Sequence, residues 1–233
     1  MELYYDLHIH SALSPCGDKD MTPNNIVNMS IIKGLDIIAV TDHNTCGNVR
    51  ACIEVAGDRL LVIPGMEIET SEEVHMVCYF PKIENAEAME KYLKEHMPKI
   101  KNDENIFGEQ LYMDAEDNIT GKEENLLVTA TNLDIFEVVE KTKEFGGVAV
   151  PAHIDRSSYS VLSNLGFIPP ELVFQTVEIT AKNRLKMEEE YGKKYNIISN
   201  SDAHYLEDIS EPEFSINIMP KNAENVIRFL CKK

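Results

Sequence analysis

The sequence predicts an α/β fold, a parallel sheet closed or nearly closed into a barrel, on three observations. Seven apolar, β-branched-rich runs read as strands. Helical patterns separate most of them, the alternation that builds parallel sheets. Acidic-flanked histidines recur at or just past the carboxyl ends of these runs, where barrel active sites are built. The chain has 233 residues, enough for one domain over residues 1–233, and its hydrophobic fraction of 43% is that of a soluble globular protein.

The strand runs are Leu3 to Ile9, Asp36 to Thr41, Leu60 to Gly65, Val74 to Phe80, Gly147 to Ala152, Gln175 to Ile179 and Asn196 to Ser199. Their near-continuous apolar character is expected of strands covered on both faces. After the first run, Thr22-Pro23 supplies an N-cap and a first-turn proline; Ile26, Met29 and Ile32 form a buried stripe, and Gly34 closes the helix. The segment from Thr131 to Phe145 repeats the scheme, with Ile135, Phe136, Val138 and Val139 on the apolar side and Gly146-Gly147 as the stop. Residues 183–192 and 220–230 are further helix candidates. One stretch, 81–126, is polar and acidic, with a helix expected near Ala86 to His96 and a hairpin around Asp114 to Gly121. It reads either as an insertion over the barrel mouth or as a surface loop.

The net charge of -18 opposes any broad nucleic-acid binding surface, because phosphate backbones are held by clustered Lys and Arg that this chain lacks. A small anion is still accommodated, since bound divalent metals make a pocket locally positive whatever the global balance. The five cysteines are odd in number and form no Cys-x-x-Cys pair, so reduced thiols are expected. No apolar run reaches membrane-spanning length, and the first strand begins at Leu3, so a cytoplasmic location is expected.

Six of the seven histidines fall in short acidic-flanked motifs: His8-Ile9-His10, Asp42-His43, His75 with Glu67 upstream, His153, and Asp202-Ala203-His204. On a strand, His-x-His points both imidazoles to one face, about 6 to 7 Å apart, so that both reach one ion. Two satisfied core histidines would explain that pair alone equally well. Asp6, two residues upstream, is placed to orient a ligand histidine. Asp202-x-His204 repeats the spacing with a carboxylate and an imidazole. Packing does not account for the joint recurrence at successive strand ends.

With these motifs the chain resembles the PHP (polymerase and histidinol phosphatase) family of metal-dependent phosphoesterases. The matching pieces are Asp6-Leu7-His8-Ile9-His10-Ser11, Thr41-Asp42-His43-Asn44, Gly65-Met66-Glu67, His75, Pro151-Ala152-His153 and Ser201-Asp202-Ala203-His204. The resemblance implies a distorted, TIM-barrel-like (β/α)7 fold of seven strands. It also implies two or three divalent ions, with His8, His10, Glu67 and Asp202 on the first, Glu67 bridging to a second held by His75 and His153, and His43 and His204 facing a third. Where the family often has a further His or Asp, this chain has Ser14-Pro15-Cys16-Gly17-Asp18, so Cys16 is either a thiolate ligand or a structural cysteine. His96 belongs to no motif and reads as a surface residue.

Such a centre hydrolyses a phosphate ester by metal-activated hydroxide attacking in line, with no side-chain nucleophile. The leaving oxygen takes its proton from Asp42 or from a metal-coordinated water, although an aspartate before a ligand histidine equally serves to orient it. Arg156 reads as a phosphate clamp, or as an ion pair with one of many acidic residues. The Ser157-Ser158-Tyr159 hydroxyls contact substrate or cap the next helix. Zinc, manganese or iron suits the mixed imidazole and carboxylate donors better than calcium or magnesium. Histidinol phosphate, nucleotides and the end of a short oligonucleotide all fit as substrates. Two other readings are an amidohydrolase-like C–N hydrolase, disfavoured by the lack of a lysine on the fourth strand, and a non-catalytic metal-binding module.

Overall fold

The expected runs do not join into one parallel ladder. In the computed structural model, which describes residues 2–232, the chain runs β1 (Glu2–Ile9), α1 (Pro23–Ile32), β2 (Ile37–Val40), α2 (Val49–Ala56), β3 (Leu61–Glu69) and β4 (His75–Tyr79). It continues through α3 (Ile83–His96), α4 (Glu104–Phe107), β5 (Leu111–Met113), β6 (Ile119–Lys122), α5 (Ile135–Glu144), β7 (Val148–Pro151) and α6 (Val161–Asn164). The last elements are β8 (Thr176–Thr180), α7 (Arg184–Tyr191), β9 (Asn196–Asn200), β10 (Ser215–Asn217) and α8 (Ala223–Leu230). A six-stranded sheet has the order β10-β1-β2-β3-β4-β7; β8-β9 and β5-β6 are separate pairs.

Pairing is parallel from β1 through β3 and in β8-β9, as the βα alternation requires. It is antiparallel from β3 to β4 and from β4 to β7, which corrects the all-parallel expectation. The cause is chain length: only Thr70 to Val74 separate β3 from β4, far too few for a parallel crossover. β10, absent from the expected runs, closes on β1 antiparallel.

The helices follow their caps more faithfully than their expected stripes. Thr22 caps α1 through its side chain, and Gly34 ends it at φ +83. The buried side of α1 is Pro23, Ile26, Val27 and Ser30, whereas Ile32 is 78% exposed. In α5 a capping box at Asp134 and Glu137 fixes the start, and the buried positions are Ile135, Val138 and Thr142, with Phe136 facing solvent. The apolar side of α3 (Ile83, Ala86, Met89, Leu93) lies in the main core cluster, so the first third of the polar stretch is built into the body of the protein.

The hairpin β5-β6 is hung on the segments that follow β1 and β2. Leu111 donates its amide to the Ala12 carbonyl, and Asn48 bonds both Leu111 and Met113. Gly47 is required there, because a Cβ would come within 2.4 Å of the Tyr112 ring. Among the described residues no helix is long and apolar enough to cross a membrane.

Candidate metal centre

Each candidate side chain reaches the same end of the sheet for a local reason. β1 delivers His8, and His10 follows one residue past its end; His43 lies just beyond β2 and bridges Glu67 on β3. β3 runs on to Glu69, past the end expected at Gly65, so Glu67 sits within the strand. The antiparallel reversal then returns His75 to the cluster, since Glu69 pairs with His75 in register. His153 and Asp202 follow β7 and β9 with φ of +27 and +54, and Asn44 has +55. Non-glycine residues in that region cost about 1–3 kcal/mol each and are held only where the surroundings dictate them.

Glu67 is the centre of the arrangement and is almost wholly buried. Its Oε1 lies 2.9 Å from His75 Nδ1, 3.2 Å from His153 Nε2 and 3.4 Å from His8 Nε2. Its Oε2 lies 3.2 Å from His43 Nδ1 and 3.4 Å from His10 Nε2. Asp202 Oδ1 stands 3.0 Å from His10 Nε2 and 3.3 Å from His8 Nε2. Three sets of ligand atoms gather within reach of a shared ion: His8, His10, Glu67 and Asp202; His43, Glu67 and His75; and His10, His43 and His204.

A cation fits these sets on the geometry of the atoms themselves. Donors bonded at about 2.0–2.2 Å around one ion lie roughly 2.9–3.6 Å apart, depending on coordination number. The His8, His10, Glu67 and Asp202 contacts fall inside that span. Two atoms of the cluster, Asp202 Oδ1 and His43 Nδ1, are buried and find no hydrogen-bond partner among the described residues. A buried unpaired polar atom costs about 1–3 kcal/mol, so these atoms are suited to a partner of another kind.

The electrostatics agree. Burial works against charge on Glu67, yet the imidazoles of His75 and His8, with hydrogen bonds from His10 and His153, hold its carboxyl well below the usual range. Asp202 is likewise held down against burial by His8 and His10. Burial works against charge on His10, yet the close Asp202 and Glu67 carboxylates push it up to about 9. Burial and the neighbouring His10 push His43 well below its ordinary value and His204 to about 4, leaving both neutral. Protonated imidazoles thus stand between two anions, where positive charge belongs.

Three groups behind the ligands choose which nitrogen faces the cluster. His8 Nδ1 donates to Glu178 at 2.9 Å, turning Nε2 inward. His10 Nδ1 donates to Ser14 Oγ, which in turn donates to Asp42 at 2.7 Å. His204 Nδ1 donates to the Asp202 carbonyl. Asp42, expected either as a proton donor or as a group that orients a ligand histidine, has both oxygens engaged by Ser11 and Ser14 and is fully buried, the setting of an orienting group. Asp6 does not touch the His8 ring; it accepts from Ser201 and Ser210 and pins the segment that carries Asp202.

A PHP domain model matches residues 6–229. The chain belongs to the PHP domain family. It is 27% identical to an uncharacterised protein of Methanocaldococcus jannaschii, over 97% of this chain and 27% of that one. It is 35% identical to the 5'-3' exoribonuclease Rnm of Salmonella typhimurium over 79 residues, 31% of this chain and 26% of that protein. The chain thus spans about a quarter of the length of these curated relatives. Among solved structures it superposes on the lesion-specific endonuclease PfuEndoQ of Pyrococcus furiosus with a TM-score of 0.72 at 18% identity, over 99% of this chain and 56% of that one.

Two other candidates of this PHP domain have distinct settings. Arg156 is 43% exposed and pairs through Nη1 with Asp202 Oδ2 at 2.5 Å, so it is both at the centre and in an ion pair. Cys16 lies at the surface and joins none of the three ligand sets. His96 bonds Asn132 at the end of α3 and also lies outside them. Sequence reasoning missed Glu178, Ser14 and Asn200. The signal for Glu178 was present, since a lone carboxylate in the apolar run Thr176-Val177-Glu178-Ile179 is buried at 2% exposure and must be paired.

Proposed function

We propose that this PHP domain hydrolyses phosphate esters at a centre of two or three divalent transition metals. The observation that carries the reading is Glu67, whose buried carboxylate lies within 3.4 Å of the His8, His10, His43, His75 and His153 imidazoles, more donors than one tetrahedral ion takes. His8, His10, Glu67 and Asp202 would hold one ion, Glu67 with His75 and His153 a second, and His43 with His204 would face a third. Zinc, manganese or iron suits these donors. Ions held there supply Lewis-acid charge, which makes water nucleophilic at neutral pH and neutralises phosphoryl oxygens. A new oxygen–phosphorus bond would form as the ester bond breaks, the leaving oxygen taking its proton from water.

The protein's own groups do the positioning. Glu178, Ser14 with Asp42, and the Asp202 carbonyl fix the imidazole tautomers, so no reorganisation is needed when substrate arrives. Arg156, paired through one nitrogen with Asp202, keeps further N–H groups to orient a phosphate beside the ligands. The M. jannaschii relative adds no substrate, but an exoribonuclease and an endonuclease among the similar proteins favour a nucleotide or an oligonucleotide end over histidinol phosphate. We read β1, β2, β3, β4, β7, β8 and β9 as the seven strands of a distorted (β/α)7 barrel in one domain, with β10 added at its edge and the hairpin β5-β6 beside its mouth, and place it in the cytoplasm.

The test is phosphate release from a panel of phosphometabolites and short oligonucleotides, each with manganese, zinc or iron. Metal-dependent release from at least one ester is expected. A fully metal-loaded protein that hydrolyses nothing on the panel, while binding its ions, would return the chain to a non-catalytic metal-binding module.

A further inference from the structure

The loop that follows β7 carries an aromatic ring beside the centre. Tyr159 stacks on His75, ring centroids 4.8 Å apart and planes inclined by 28°, and remains 46% exposed. One face therefore lies against a candidate ligand and much of the rest faces solvent. The placement is enforced: Tyr159 has φ +54, a conformation unfavourable for an aromatic residue, and its carbonyl accepts the His75 amide at 2.9 Å. Both ends of the loop are anchored, by Asp155 on Thr180 and Asn183 and by Ser160 as the N-cap of α6.

The same loop holds Arg156 against Asp202. A cation and an aromatic face are thus presented three residues apart along one rigid segment, each touching a different side chain of the cluster. An exposed aromatic face is a good platform for a flat heterocycle, since every base has a π-face. We propose that Tyr159 is a stacking platform for a nucleobase, and that the substrate is a phosphate ester whose leaving group carries one. This rests on the phosphoesterase reading for its phosphate end only; the stacking is a property of binding.

Base stacking on an aromatic side chain contributes about 5- to 100-fold in affinity. The test compares two ligands that cannot be hydrolysed, the methylene-phosphonate analogue of adenosine monophosphate and the same phosphonate of ribose without a base. Calorimetric titration of the metal-loaded protein should show the base-bearing ligand binding about 5- to 100-fold tighter. Tyr159→Phe should keep that preference and Tyr159→Ala should abolish it, leaving the affinity for the ribose phosphonate and the metal content unchanged. Equal affinities for the two ligands in the unaltered protein would overturn the proposal. So would a Tyr159→Ala variant that weakens both ligands equally, which would make the ring a support for His75. Steady-state hydrolysis of adenosine monophosphate and ribose 5-phosphate separates the two readings. Loss of all phosphate release with the binding preference intact sinks the catalytic reading alone, whereas equal hydrolysis with no preference sinks the stacking alone.

Discussion

Glu67, Glu178 and Arg156 do three different jobs around one cluster, and substitution should separate them. Glu67→Gln removes the anion that two groups of imidazoles share, so metal content measured by elemental analysis should fall by at least one ion and phosphate release with it. Unchanged stoichiometry would show that Glu67 is no bridge. Glu178→Gln keeps the shape but weakens the hold on His8 Nδ1, and metal affinity by chelator competition should drop about 10- to 100-fold. For Arg156→Ala the expectation is a loss in kcat/KM of roughly 10- to 1,000-fold with the ions retained, because Asp202 keeps His8 and His10 as partners. Arg156→Lys should recover only part of it. If Arg156→Ala instead empties the site, the guanidinium serves Asp202 rather than substrate. Cys16→Ser should leave metal stoichiometry untouched, since Cys16 lies outside the ligand sets.

Strand and helix periodicity made the elements legible, while their pairing was only partly so. The runs around His8, Asp42 and Asp202 could be placed because each motif ended an apolar strand, and Thr22, Gly34 and Gly146 marked helix ends through capping chemistry that is local. The β3-β4 reversal was legible in principle from its short connection, but apolar composition alone suggests parallel strands and masks it. Ile32 and Phe136 misled because a stripe read at helical spacing does not say where neighbouring elements stop covering it. Ser14 and Asn200 act only through tertiary contacts, so nothing local marked them. The hairpin supplies a test at this scale. Gly47→Ala pushes a methyl into the Tyr112 and Leu13 side chains, and overpacking of this kind costs about 1–3 kcal/mol. Denaturant unfolding should record that loss, and Gly47→Ala combined with Tyr112→Ala should recover part of it.

Across the whole molecule, the sheet has a seam. β8 and β9 pair with each other but are not laddered to β7 or β1; single backbone bonds past the strand ends, from Ile154 to Glu178 and between Ala203 and His8 and His10, share the joining with buried side chains. Leu7 donates its amide to Asn200 Oδ1, Asn200 donates to Glu178, and Glu178 receives both the His153 amide and the His8 ring. The residues that stitch the seam are therefore the ones that aim the metal ligands. Such a pair of strands is a candidate for opening as a unit, without global unfolding. Ions held by His8 on one side of the seam and Asp202 on the other would oppose that opening by mass action, by about 2.7 kcal/mol at a hundredfold excess over the dissociation constant. Amide hydrogen exchange in β8 and β9 should accordingly slow on metal loading far more than in β2 or β3, and chelation should reverse it. The centre would then act as a rivet as well as a reagent, with its strength set by how much metal is free around it.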